Sequence, residues 1–301
     1  MLSSVFVSLL SIAATDAYRT PFNYTSTCLN PQPLSCNLGS TTVDKCCSPQ
    51  PGGLTLVTQF WSTYTGTSAK LPAKSWGVHG LWPDNCNGTY EQYCSAARNI
   101  SGPQTIQYLM SHGRSDLLTQ MNNVWINQGL TNDDLWAHEF AKHATCTSTF
   151  DLDCYAPLYA ANTSAAAKAN GGAGEGLDVV DYMETTLNYF TSHPTYEWLA
   201  RAGITPSNTT TYSLSQIQAA IRNATGVNAF VGCNRNAAMN NTRDVFSEMW
   251  YYGHVEGRVQ DLDFVPVDSN KFGNSTCVSS GITYPLRGKG ETKDLITGRV
   301  Y

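Results

Sequence analysis

Two short segments concentrate the residue types that do chemistry: WGVHGLWPDNC (Trp76–Cys86) and LWAHEFAKHATC (Leu135–Cys146). They hold His79, His138 and His143, three of the chain's six histidines, together with Glu139 and Lys142. A pair of imidazoles is suited to taking one proton and giving another, because the unperturbed group titrates near pH ~6.5. An ammonium and a carboxyl group beside such a pair point to an anion whose charge grows during reaction, as that of a phosphate ester does.

The second segment reads as a helix. With Glu139 at the origin and about 100° per residue, Lys142 falls near 300° and His143 near 40°. The three therefore share a face, and Phe140 points elsewhere. The bland alternative is a solvated face with an i,i+3 ion pair and a stray imidazole. A zinc site of the HExxH kind fails on geometry, since it needs histidines four apart. His138 and His143 are five apart, about 140° out of register.

The first segment reads as a strand. Alternation puts His79 on a face with Gly77 and Leu81, and Trp82 on the other. The flanking glycines let another chain or a ligand come close. Downstream stand Asp84 and Tyr90; an aromatic ring beside a carboxylate is a means of stacking and hydrogen-bonding a base. Core packing is the plain alternative for Trp82.

The elements that position these residues follow from pattern. Leu54–Trp61 is a buried strand, and Ser75–Leu81 a second one that Pro83 stops. Helices are expected over Gln104–His112 behind Pro103, Asp116–Gln128 closed by Gly129, and Asp133–Thr145 behind a Thr131–Asp134 capping box. Further helices are Asp178–Ser192 and Ser213–Asn223, with Ala165–Gly176 a flexible loop. Asn228–Arg235, Phe246–His254 and Arg258–Phe264 read as strands, with turns at Gly253 and Gly257. Strands, then helices, then strands give an α+β class: a central antiparallel sheet with helices packed on it in a single domain.

Met1–Ala17 reads as a secretory signal peptide, its apolar run Val5–Ala14 being too short to span a membrane. The ten cysteines form an even set in an exported chain, which implies five disulfides. Spacing leaves the pairing open, except that Cys46 and Cys47 are adjacent and should reach separate partners. Eight N-x-[ST] sequons stand at Asn23, Asn87, Asn99, Asn162, Asn208, Asn223, Asn240 and Asn274, and N-linked glycans are expected on some. The formal net charge of −5 excludes a protein that grips nucleic acid through a broad basic surface. It leaves room for an enzyme that holds one phosphate locally.

HGLWP (79–83) and HEFAKHATC (138–146) resemble the two signature motifs of the ribonuclease T2 family, HGLWP and HE[WF]xKHGTC, in the same order and with matching cysteines. Ala144 departs from the usual Gly. The resemblance runs from about Cys28 to Pro285. It implies the family's α+β sheet fold in a catalytic domain over 18–285; the charged, Gly-containing stretch beyond it, 286–301, reads as a disordered tail. It implies a secreted, monomeric, metal-independent endoribonuclease, without a cofactor or a membrane partner, acting on single-stranded RNA. His79 and His143 would be the acid–base pair, Glu139 and Lys142 would stabilise the transition state, and His138 would help hold the phosphate. Trp82, Asp84 and Tyr90 would bind the base 5′ of the cut, and Gln59 the second base. The ten-cysteine fungal pattern implies Cys28–Cys47, Cys36–Cys86, Cys46–Cys154, Cys94–Cys146 and Cys233–Cys277. A recognition protein that reuses this fold is the rival from another class; the intact histidine, glutamate and lysine set argues against it.

Overall fold

A computed structural model describes residues 28, 31–38, 43–63, 65, 69–155, 175–236 and 242–287. The signal segment, Asn23, Asn162, Asn240, residues 165–174 and tail residues 288–301 lie outside these. In chain order the elements are β1 (Leu54–Phe60), β2 (Gly77–Asp84), α1 (Gly102–Ser111), α2 (Ser115–Val124), α3 (Asn132–Lys142), α4 (Leu177–Ser192), α5 (Thr195–Arg201), β3 (Thr211–Tyr212), α6 (Leu214–Thr225), β4 (Phe230–Asn236), β5 (Thr242–Val255), β6 (Phe264–Val267) and β7 (Ile282–Thr283). The α+β reading of the sequence is correct.

The strands form one sheet in the order β2-β1-β5-β7-β3, and β4 and β6 also pair with the long β5. Every pairing is antiparallel except β5 with β7, which touch in parallel at Val245 and Thr283. Alternation divides the residues of β1. Val57 joins the main core with Leu81, Met249 and the α4 residues Val180, Met183 and Leu187. Leu54 and Leu56 join a smaller cluster with Phe230 and Tyr252, edged by Trp82 and Trp250. The second face, partly open, carries the chemistry. Two buried ion pairs tie α4 to the stretches just before α1 and α2: Arg98 to Asp178 and Arg114 to Glu184, both at 2.8 Å.

Five disulfides join Cys28–Cys47, Cys36–Cys86, Cys46–Cys154, Cys94–Cys146 and Cys233–Cys277. Among the described residues no helix is long and apolar enough to cross a membrane. The described sequons, Asn87, Asn99, Asn208, Asn223 and Asn274, are all exposed.

Several local expectations need correction. β2 does not stop at Pro83 but runs to Asp84, with Thr55 opposite Pro83. It is an edge strand, where a missing N–H is tolerated. α2 ends at Val124, four residues early, because the Trp125 side chain turns inward and is fully buried. The Thr131 hydroxyl does not cap α3; it donates to Asp134 Oδ2 at 2.8 Å. Gly253 is no turn: β5 passes through it to Val255, and its missing Cβ makes room for the Phe264 ring. Arg258–Phe264 is not a strand; a 3-10 turn at Val259–Asp261 precedes β6. Helix α5 was not expected. Arg287, read as part of a disordered tail, lies half-buried over the Trp61 ring at 3.7 Å.

Candidate active site

The register of β1 against β2 slips by one residue at the first motif. Thr58 opposes Gly80, but Gln59 opposes Val78, so His79 is the extra residue of a β-bulge. A bulge resets alternation and re-aims a side chain. His79 and Trp82 therefore share a face, contrary to the regular-strand expectation, and their rings meet edge to face at 4.8 Å. Side chains pin the bulge. The Thr58 hydroxyl accepts from the Gly80 N–H at 3.0 Å and donates to the Gly80 carbonyl at 2.9 Å. The Trp125 indole donates to the His79 carbonyl at 3.0 Å, and the Trp136 indole to the Trp125 carbonyl at 2.9 Å. This indole relay links α3 to the strand that bears His79.

Helix α3 delivers the other half. Glu139 is buried and His143 caps the helix C-terminus. The Trp82 ring stacks on His143 at 4.9 Å and 13°, and its Nε1–H donates to Glu139 Oε2 at 2.8 Å. Gly80 makes this approach possible, since a Cβ there would collide with Glu139 Oε2. The carboxyl group sits between three imidazoles. His79 Nε2 is 3.9 Å and His138 Nε2 4.0 Å from Oε1, and His143 Nε2 is 3.7 Å from Oε2. The wheel's shared face for Glu139 and His143 is correct, but that face is buried rather than solvated.

Burial sets the protonation. It raises Glu139 to about 8, offset in part by the Trp82 hydrogen bond and by Lys142. It lowers His79 to about 4, helped by the charges of Lys142 and His138. It lowers His143 further, and His138 as well. The centre at neutral pH is thus a neutral carboxyl among neutral imidazoles, with the half-exposed Lys142 beside it. Among the described residues no His, Cys, Asp and Glu are grouped to hold a metal ion.

Asp84 and Tyr90 are brought together by an antiparallel bridge at the end of β2. Tyr90 is 65% exposed, and burial raises Asp84 to about 7. Gln59 does not face the site. It is fully buried on the helix side, its amide donating to the His193 carbonyl at 2.8 Å and accepting from the Thr195 hydroxyl at 2.7 Å. Its neighbour Phe60 faces the site, edge-on to His79 at 5.3 Å. With Asn127, Gln128, Leu135 and Glu248, Phe60 lines a cavity of about 320 Å³ beside His79. Period 2 separates Gln59 from Phe60, but it does not say which of them faces the site. Tyr93 was also missed. It has φ 54°, its hydroxyl lies 3.2 Å from His138 Nδ1, and its N–H donates to the Lys142 carbonyl at 3.0 Å. Nothing in its neighbourhood signals this role.

Comparison with known proteins agrees with the site. Residues 52–277 match the Ribonuclease T2 family. The chain is 34% identical to Ribonuclease T2-like 1-A of Candida albicans, over 99% of this chain and 67% of that protein. It is 38% identical to a Ribonuclease T2-like protein of Aspergillus fumigatus, over 85% of this chain, and spans only 56% of that relative's length. The crystal structure of Actibind, a T2 ribonuclease, superposes with a TM-score of 0.70 at 33% identity, covering 87% of this chain and 98% of that one. With both motifs folded around one buried glutamate, the chain belongs to the ribonuclease T2 family.

Proposed function

We propose that the protein is a secreted endoribonuclease that cuts single-stranded RNA by transphosphorylation, with broad base tolerance. The observation that carries this reading is the Glu139 carboxyl, faced within 4.0 Å by His79, His138 and His143. In the first step neutral His143 takes the proton of the ribose 2′-OH. The 2′-oxygen attacks phosphorus, the bond to the 5′-oxygen breaks, and His79 protonates that oxygen as it leaves. The product is a 2′,3′-cyclic phosphate. Water then opens it with the two histidines exchanging roles, leaving a 3′-phosphate.

The bound phosphate supplies the negative charge that lets His79 hold its proton, since a nearby anion raises an imidazole pKa. Glu139 acts in its neutral form. Trp82 occupies Oε2 as an acceptor, so Oε1 carries the hydrogen and donates to a phosphoryl oxygen. Lys142 offsets the growing charge, and His138 donates to the phosphate through Nε2. Trp82, Asp84 and Tyr90 serve the base 5′ of the cut. One face of the Trp82 indole is already covered by His143, so the base uses the other. The cavity beside His79 serves the base on the 3′ side, because His79 protonates that nucleotide's oxygen. The reaction as written uses no metal. We further propose that Met1–Ala17 directs export, that exposed sequons carry glycans, and that the enzyme is a monomer.

The test is an RNA oligonucleotide bearing one 2′-deoxy residue, digested in EDTA. The bond 3′ of that residue should survive while its neighbours are cut to 2′,3′-cyclic ends, one water lighter than the 3′-phosphate. Cleavage at the modified bond at the normal rate would remove the mechanism.

A further inference from the structure

The cavity beside His79 has a wall that the reaction leaves unused. One row crosses the sheet there: Gly77 opposes Phe60, Phe60 opposes Glu248, and Glu248 opposes Gly232. The glycines at both ends let the two larger side chains lie directly against the backbone. A Cβ at Gly77 would stand 3.1 Å from the Phe60 ring, and one at Gly232 would stand 3.3 Å from Glu248 Oε2. A second bulge lies in β5: Phe246 opposes Cys233 and Glu248 opposes Gly232, leaving Ser247 extra. It brings Ser247 and Glu248, neighbours in sequence, to the same cavity. An aromatic ring and a carboxyl group are also the groups proposed above for the 5′ base, in Trp82, Tyr90 and Asp84.

We propose that Glu248 reads the base 3′ of the scissile bond by accepting from a pair of adjacent N–H donors, which makes guanine the favoured base at that position. This rests on the ribonuclease reading above. Burial pushes the Glu248 carboxyl up from its usual range, and the Trp250 indole beside it pulls the other way; in its ionised form it offers two acceptor oxygens and no donor. Guanine presents N1–H and its 2-amino group side by side, so both oxygens are used. Adenine and cytosine present one amino group beside an acceptor nitrogen. Uracil presents one N–H between two carbonyls, which would face the carboxylate oxygens. Phe60 and Leu135 supply apolar contact with the base, and the amides of Asn127 and Gln128 can meet its remaining polar atoms. The other bases are still cut, more slowly.

The experiment measures kcat/KM at neutral pH on CpG, CpA, CpC and CpU. Each value is divided by the rate on cytidine 2′,3′-cyclic phosphate, which has no 3′ nucleoside and reports the amount of active enzyme. The wild-type protein should prefer CpG to CpU by roughly ten- to a hundred-fold, the scale of a bidentate contact to a base. Glu248→Gln should bring that ratio to within about threefold of one. A wild-type enzyme that cuts CpU as fast as CpG overturns the proposal without any variant. So does a Glu248→Gln variant that keeps the full CpG preference. Failure to cut any of the four would instead remove the ribonuclease reading on which the proposal stands.

Discussion

Glu139 illustrates how one residue's role depends on burial. As a solvated carboxylate it would pair with Lys142; buried, its carboxyl is raised to about 8, which suits the donor role proposed above. Glutamine reproduces that state, with an oxygen for the Trp82 indole and an amide N–H for the phosphate. Glu139→Gln should therefore lose only about tenfold in kcat. Glu139→Ala should lose at least about 100-fold, the scale for deleting a transition-state donor. Equal losses in steady-state assays would show that the neutral form is not what matters. His79→Ala and His143→Ala should each cost at least roughly 100-fold in turnover. Both histidines, Glu139, Lys142 and His138 were legible in the sequence because the motifs are local and their types are chemically specific. Phe60, Tyr93 and Glu248 were not, because each reaches the site through tertiary register rather than through a motif.

At the scale of elements, the two bulges matter most. Alternation is a rule about regular pleats, and one extra residue at His79 inverts it for all that follows. For the same reason Pro83 and Gly253 misled: their effect depends on whether a strand lies at an edge or beneath an aromatic ring. The loop 90–94 is the third positioning element. It is tied to the end of α3 by Cys94–Cys146, by the Cys94 N–H to the Thr145 hydroxyl at 3.1 Å, and by Tyr93. A Cys94→Ser, Cys146→Ser double variant should lower both melting temperature and kcat/KM, the latter by about tenfold through His138 and His143. Removing Cys233–Cys277 should cost about 2–4 kcal/mol of stability with little change in kcat. Matched kinetics in the two variants, read beside their melting curves, would show that Cys94–Cys146 supports the fold and not the site.

At the scale of the whole molecule, element order made the α+β class readable, and an even cysteine count made five bridges readable. The cysteine pairing itself came from family resemblance, since spacing carries no such information. The molecule also buries one histidine, His193, that the proposed reaction does not use. His193 is lowered to about 4 by burial, against the pull of its bond to the Tyr189 carbonyl at 2.8 Å. Between pH ~6.5 and that value the unfolded chain binds the proton and the folded one does not, so this residue's contribution to stability rises with pH and is lost on acidification. His193→Gln should lose stability at pH 7. Its melting temperature should then approach that of the wild type, or pass it, as pH falls towards 4. A difference between the two proteins that does not change with pH would refute this assignment.

Arg287 has a practical bearing on how the chain is handled. Its guanidinium lies over Trp61 and donates to the carbonyls of Ser62, Pro72 and Ser75. The Ser62 hydroxyl in turn accepts from Gln128, on the wall of the cavity beside His79. A purification tag or reporter fused directly after Pro285, where composition alone would place the end of the domain, deletes a half-buried plug two contacts away from the cavity beside His79. Moving the junction to follow Arg287 keeps that plug and leaves the fused partner outside it.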